Sequence, residues 1–246
     1  IFRAVSIEFR GKEPMAWWKK TWDIAYSVSS GALALLLGVV LGNVLIGIAM
    51  NDQFVFTGHW LEFLNPYALT VGATTLALFM VHGAIYLTMK TEGKLFQQVA
   101  RLLQRSILVF VFLFIVVTVI SVFKFSHLTD RFLDNPILFI VPVLAFLSIA
   151  NVPRLASQGK YLRSFVFSAL SMSFLLILVA IELYPVIILD RGDMESSMTI
   201  YNAASSDKAL GIMLTITAIG FPLVIAYTVF VYRTFWGKVK LDEMSY

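Results

Sequence analysis

The sequence predicts an all-α protein, a polytopic transmembrane helical bundle with six complete spans plus the end of an earlier helix. Two observations predict this fold class: long apolar stretches follow one another, and the connections between them alternate between basic and acidic. A helix needs ~20 apolar residues to cross ~30 Å of hydrocarbon at about 1.5 Å per residue. The stretches are 24–50, 67–89, 106–123, 136–152, 164–189 and 208–232.

The first stretch combines an interfacial anchor with small residues. It is preceded by Trp17, Trp18, Lys19, Lys20 and Trp22. Tryptophan rings and lysines at this depth anchor a helix at the membrane surface. Gly31, Gly38 and Gly42 permit close helix packing, and Asn43 requires a hydrogen-bond partner in lipid. We therefore expect a packing face on this helix.

The boundaries of the later stretches carry capping signals. Asn65 followed by Pro66 predicts the start of the second helix. The fourth stretch is short and has Pro142 inside it. The fifth leads into the longest acidic connection, 190–207, where 205–207 offers N-caps for the sixth helix.

The charges of the connections predict the direction of each span. Fifteen of the nineteen basic residues fall on one side, namely Arg3, Arg10, Lys12, Lys19, Lys20, Lys90, Lys94, Arg101, Arg105, Arg154, Lys160, Arg163, Arg233, Lys238 and Lys240. The other connections hold Asp52, Glu62, Lys124, Asp130, Arg131, Asp134, Asp190, Arg191, Asp193, Glu195, Asp207 and Lys208. The positive-inside rule makes the basic side cytoplasmic and predicts that both ends of the chain lie there.

Composition excludes several classes of function. Apolar residues make up 59% and charged residues 14%, against ~25% charged in soluble domains. The basic excess is explained by the cytoplasmic loops, so nucleic-acid binding is not expected. The absence of cysteine excludes disulfides, thiolate metal sites and iron–sulfur clusters. No repeat divides residues 1–246, which we interpret as a single integral-membrane helical domain.

Two ionisable residues, His82 and Glu182, lie within the spans. Ionisable side chains are costly in hydrocarbon, so both residues are functional candidates. A hydrogen bond to another helix would also account for His82, and hydration near the headgroups would also account for Glu182. His59 and His127 fall in external loops, and no metal motif, phosphate-binding loop or catalytic triad is present. The residues alone predict no catalytic, cofactor-binding or metal site.

Several stretches together resemble one family. They are FRAVSIEFRGK at 2–12, WD at 22–23, LGN at 41–43, LNPYALTVGATTLALFMVHGAIYLTMKTEGKL at 64–95, SMTIYNAASSDKAL at 197–210 and AYTVFVYRTFWGKV at 226–239. In this order and spacing they resemble subunit II of bacterial cytochrome bd-type quinol oxidases, including the cyanide-insensitive branch. The resemblance extends over essentially the whole chain and is least distinctive between 106 and 163.

The resemblance implies a haem-free subunit of an inner-membrane respiratory complex that oxidises ubiquinol and reduces O2 to water. It implies haems b and d in the partner subunit I, membrane lipid as surroundings, and in some members a structural quinone or a small accessory subunit. It also implies a nine-helix subunit of which this chain is the C-terminal two-thirds, with the C-terminus cytoplasmic. The opening IFRAVSIEFR is then the end of an earlier helix.

The resemblance further implies a proton supply from the cytoplasm to subunit I and a membrane potential formed without pumping. The candidates for that polar route are Glu8, Arg10, Asp23, Asn43 and His82. An interfacial salt-bridge group is the competing interpretation for the first three. Without the motifs, a secondary transporter or channel subunit, or a structural scaffold, would also fit six spans with polar groups inside.

Overall fold

The computed structural model describes residues 1–51, 53–125, 132–133, 135–191 and 196–238. The helices in this part of the chain are α1 (Phe2–Arg10), α2 (Ala16–Ile46), α3 (Pro66–Lys90), α4 (Gly93–Lys124), α5 (Ile140–Ser157), α6 (Tyr161–Leu183) and α7 (Asp207–Thr234). Short 3-10 helices cover Trp60–Leu64 and Pro136–Phe139. Strands β1 (Val186–Ile188) and β2 (Met198–Thr199) form an antiparallel pair.

Six of these helices are long and apolar enough to cross a membrane, counting Pro136–Ser157 as one. This confirms the predicted all-α bundle and its six spans. The small β-pair was not predicted, because three and two residues carry no detectable periodicity. Sequence predictions on Asp52, His127, Asp130, Arg131, Asp134, Asp193, Glu195 and Lys240 lie outside the described residues.

Helices α2 and α3 cross at backbone contact. A Cβ added at Gly38 would lie 2.7 Å from the Cα of Gly72, and one added at Gly42 would lie 2.7 Å from the Cα of Ala68. Small residues permit this approach, which maximises dispersion contacts between helices that share an apolar solvent. The packing face expected on the first span is confirmed, except that Gly31 has nothing within 4 Å of such a Cβ.

Helix α3 is the centre of the bundle. It packs against α2, α4 and α6, while α5 packs against α6 and α1 against α2. The largest buried cluster joins α3, α4 and α5 through side chains such as Val81, Ile85, Leu103 and Ile149. The bundle is therefore organised around one helix.

Specific residues end or begin the helices. Gly47, with φ of 82°, ends α2 at Ile46, earlier than the predicted 50, because that backbone conformation leaves the right-handed helix. Helix α6 ends at Leu183 instead of the predicted 189, since the residue before Pro185 is disfavoured in helical conformation. The predicted caps are confirmed: Asn65 accepts from the Ala68 amide and Ser206 from the Ala209 amide.

Contacts between connections define two sides of the bundle. Lys90 Nζ donates to the carbonyls of Phe235 and Gly237, and Lys238 pairs with Glu92 at 2.9 Å. The end of α3, the start of α4 and the end of α7 therefore lie together on what we call the basic side. On the opposite side, the Ile48 amide donates to the Leu189 carbonyl. Helix α7 itself has no buried residue.

We predict that Gly38→Ala destabilises the bundle, whereas Gly31→Ala does not. The new methyl group at position 38 meets the Gly72 backbone and Thr75, and overpacking of this kind costs about 1–3 kcal/mol. Position 31 offers open space in the same helix, where alanine is the better helix former. Thermal unfolding of the detergent-solubilised protein measures both; equal melting temperatures would contradict the backbone contact.

Candidate functional site

The candidate polar residues fall in three separate places. Arg10 and Asp23 meet on the basic side, and Glu8 lies on the same short helix as Arg10. Asn43 lies near the other end of α2, about 30 Å from Asp23 at 1.5 Å per residue. His82 lies in α3, within the bundle. In the described part of the chain, the five residues thus do not form one connected network.

Arg10 and Asp23 join α1 to the start of α2. Arg10 Nε lies 2.6 Å from Asp23 Oδ1, and a second guanidinium nitrogen lies 3.4 Å from Oδ2. Trp18 Nε1 donates to the Phe9 carbonyl at 2.8 Å, so an aromatic group supports the same junction. Arg10 and Asp23 thus form an interfacial salt bridge, as the competing interpretation allowed, but Glu8 does not take part in it.

Arg10 and Asp23 differ in whether they can transfer a proton. The hydrogen bond with Asp23 and the negative charge of Asp23 both raise the pKa of Arg10. A guanidinium does not release its proton in proteins, so Arg10 can orient a carboxylate or attract an anion but cannot relay a proton. Asp23 and Glu8 carry the exchangeable groups. Glu8 is exposed and makes no hydrogen bond or ion pair with another described residue.

Asn43 is buried and joins three segments by hydrogen bonds. Its amide nitrogen donates to the carbonyls of Val39 and Phe63, both at 2.8 Å. Its amide oxygen accepts from Asn65 Nδ2 at 2.8 Å, and Asn65 in turn caps α3 by accepting from the Ala68 amide. A buried amide with its partners satisfied stabilises one arrangement of α2, the Trp60–Leu64 helix and α3.

A second group of bonds closes the same side of the bundle. Arg191 donates to the Gly47 carbonyl at 3.0 Å and lies 3.7 Å from Glu62. The Met50 amide donates to Asp190 Oδ1 at 3.1 Å. The connection after α2 is therefore fastened to the one after α6. In the sequence, Asp190 and Arg191 are identifiable only as loop charges, because pairing over about 140 residues leaves no local signal.

His82 connects α3 to α6. Its Nδ1 lies 2.7 Å from Ser168 Oγ, and its ring stacks on Phe165 with centroids 4.4 Å apart. This agrees with the interhelical hydrogen bond that the sequence allowed for His82. Ser168 was missed, although Ser164, Ser168 and Ser171 are all buried and their spacing of four and three residues places them on one face of α6.

Glu182 lies in the last turn of α6 and is half-buried, one residue before the helix ends. The sequence placed it about two turns inside the span. The shorter helix moves it to the edge, which favours the peripheral interpretation of this carboxylate.

The two histidines that the structure describes, His59 and His82, do not fit as the two axial ligands of one haem. His59 caps the Trp60–Leu64 helix on the side opposite the basic side, whereas His82 is 16 residues beyond Pro66 in α3, a rise of about 24 Å. Axial nitrogens must approach the same iron from opposite faces. Within the residues that the structure describes, no group of three or more His, Asp or Glu side chains could hold a metal ion.

A family model described as cytochrome bd terminal oxidase subunit II matches residues 1–235. The chain belongs to this family. Membership confirms the resemblance of the motifs and makes the chain a multi-pass membrane subunit of an oxidoreductase complex, which implies a subunit I as partner. It does not favour a transporter or channel.

Curated relatives agree with the family. The chain is 24% identical over 275 residues to cytochrome bd-I ubiquinol oxidase subunit 2 of Escherichia coli strain K12, covering all of this chain and 73% of that protein. It is 26% identical over 246 residues to cytochrome bd ubiquinol oxidase subunit 2 of Bacillus subtilis strain 168, covering 99% and 72%. Both alignments therefore include nearly all of this chain.

A solved structure has the same fold. The bd oxidase from Geobacillus thermodenitrificans matches with a TM-score of 0.70 and 17% sequence identity. The match covers 95% of this chain and 72% of that chain. At this identity the likeness shows the helical arrangement of a bd oxidase chain.

We predict that Asn43→Leu lowers the melting temperature of the detergent-solubilised protein. The substitution removes the bond to the Phe63 carbonyl and one of the two bonds that the Asn65 amide nitrogen donates, the other being to the Glu62 carbonyl. A buried polar group that loses its partner costs about 1–3 kcal/mol. Asn151→Leu is the matched control, since Asn151 bonds only the Leu147 carbonyl of its own helix. An equal effect of both substitutions would show that the three-segment junction adds no stability.

Proposed function

We propose that this chain is the haem-free second subunit of a cytochrome bd quinol oxidase that supports the assembly of subunit I and its proton supply. The match of the subunit II family model over residues 1–235 carries this proposal. The relatives from Escherichia coli and Bacillus subtilis are named ubiquinol oxidase subunits, which supports ubiquinol as the electron donor of the complex.

The proposed reaction of the complex balances without a further reactant. Two quinols each release two electrons and two protons outside, becoming two quinones. One O2 takes the four electrons and four protons from the inside, becoming two waters. The charge separation forms a membrane potential without pumping. Because moving one charge across 100 mV costs ~2.3 kcal/mol, the inner protons need a polar route through protein.

We place haems b and d in subunit I and assign this chain a non-catalytic role. The separation of His59 and His82 supports that assignment, because they cannot serve one iron together. His82 already bonds Ser168, and this bond fixes α3 against α6. We assign no described residue to a structural quinone or to a small accessory subunit.

We infer that the basic side faces the cytoplasm and that the C-terminus lies there, in the bacterial inner membrane. The contacts of Lys90 and Glu92 with residues 235–238 support one shared side for these segments. Fifteen of nineteen basic residues fall in segments assigned to that side. The positive-inside rule then supports the direction.

This orientation places Glu8, Arg10 and Asp23 where protons would enter. In the proposed route, Asp23 and Glu8 exchange protons with the cytoplasm, and Arg10 orients the Asp23 carboxylate. Asn43 and His82 contribute at other depths: Asn43 as a hydrogen-bonding group and His82 as a group able to exchange a proton. The separation of the three places requires that residues of subunit I or water complete the path.

Purification of the native complex in mild detergent tests the proposed function. We expect a haem-rich partner to co-purify with this chain and to show b- and d-type bands in reduced-minus-oxidised spectra. A colourless assembly that catalyses substrate uptake in vesicles would instead indicate a transporter and overturn the proposal.

We predict that His82→Leu leaves the haem bands of the assembled complex unchanged per subunit I, because His82 bonds Ser168 and does not ligate iron. His82→Gln, which retains hydrogen-bonding capacity, is the matched variant if the leucine variant assembles poorly. Specific loss of one haem band in both variants would show that His82 is a ligand.

Reporter fusions test the proposed orientation. A fluorescent protein fused after residue 246 should fold and emit in the cytoplasm, and alkaline phosphatase at the same position should be inactive. Fusions in the 51–65 connection should behave in the opposite way. The reverse pattern would contradict the orientation without affecting the family assignment.

A further inference from the structure

A cavity of about 800 Å³ opens on the basic side of the bundle. Its walls come from the end of α3, Phe96 of α4, the start of α6, and the end of α7 with the residues that follow it. This volume lies within the range of sites that bind small organic molecules. None of the candidate residues considered above contributes to it.

The cavity is strongly cationic. Lys90, Lys160, Arg163 and Lys238 line it, and no acidic residue is among the described lining residues. Glu92, just outside, pairs with Lys238. The other three have no carboxylate partner within the described residues: Lys90 donates to two carbonyls and Lys160 to the Gln158 side chain.

The position of two of these cations is electrostatically unfavourable by itself. Lys160 precedes the first turn of α6, and Arg163 lies in that turn. The N-terminal end of a helix carries partial positive charge, and this helix has neither an acidic residue in its first turn nor a side-chain cap. An anion in the cavity would neutralise both cations and accept from the free amides of the helix.

The remaining walls are aromatic. Tyr161, Tyr232 and Trp236 have the amphipathic rings that favour the boundary between headgroups and acyl chains. Phe96 packs edge-on against Tyr161 with centroids 5.7 Å apart, and Phe165 adds an apolar wall. The cavity thus offers cations for a headgroup and apolar rings for the chains below it.

We propose that this cavity binds an anionic glycerophospholipid of the leaflet on the basic side. Its phosphate lies between Arg163, Lys160 and Lys90, and its acyl chains run along Phe165 and the exposed surface of α7. A basic pocket between membrane helices is suited to such a headgroup. Arg163 supplies a planar fork that matches two phosphate oxygens. The leaflet is cytoplasmic under the orientation proposed above.

Binding of a fluorescent phosphatidylglycerol to the delipidated, detergent-solubilised complex tests the site. We expect phosphatidylglycerol to bind at least tenfold more tightly than phosphatidylcholine with the same label. The double variant Lys160→Gln/Arg163→Gln should weaken phosphatidylglycerol binding about 30-fold, since each basic charge contributes about fivefold. Haem bands of the variant confirm that the complex has assembled, independently of lipid binding.

Lys94→Gln is the matched control, because Lys94 lies in the first turn of α4 on the basic side but does not line the cavity. It should change the affinity less than twofold. The single variant Arg163→Gln replaces the double variant if the latter does not assemble, with about fivefold weaker binding expected.

Three results would overturn the proposal. Equal binding of the two lipids would show that the cations do not select the headgroup. An equal loss in Lys94→Gln and the double variant would indicate a diffuse surface charge. Competition by millimolar inorganic phosphate or by a short-chain quinone as strong as that by unlabelled phosphatidylglycerol would assign the cavity to that ligand instead.

Discussion

The close crossing of α2 and α3 is the constraint on which the rest of the bundle depends. Gly38 faces Gly72 and Thr75, and Gly42 faces Ala68, so closely that a Cβ added at either glycine would lie 2.7 Å from a Cα of α3. In lipid no hydrophobic force drives helices together, so close packing and interhelical hydrogen bonds must do so. Helix α3, fixed in this way, then carries α4 and α6 on its other faces.

The buried polar groups follow from the same constraint. Because the crossing brings the end of α2 beside the start of α3, Asn43 reaches Asn65 and the Phe63 carbonyl. On another face of α3, His82 reaches Ser168. Each side chain would be costly in hydrocarbon without such a partner. Asn43 and His82 thus stabilise the packing of neighbouring helices, and a part in proton supply would be a second role.

The span number and fold class could be predicted from the sequence because the bilayer requires about 20 apolar residues in each crossing. Asn65 and Ser206 were also predictable, since capping is local. The partners of Asn43 and His82 were not, because each contact depends on the rotation of two helices about their axes. The cationic cavity could not be predicted either, because its lining residues, such as Lys90, Arg163 and Lys238, are far apart in the sequence.

Helix α7 has no buried residue. In the described part of the chain, the side-chain hydrogen bonds and the ion pair that connect this segment to the bundle lie after its end, where Lys90 and Glu92 contact residues 235–238. This helix follows α2–α6 in the sequence and therefore leaves the ribosome after them. The contacts among α2–α6 can therefore be completed before it enters the bilayer, because none of them needs a buried side chain of α7. The order of synthesis can then also be the order of assembly.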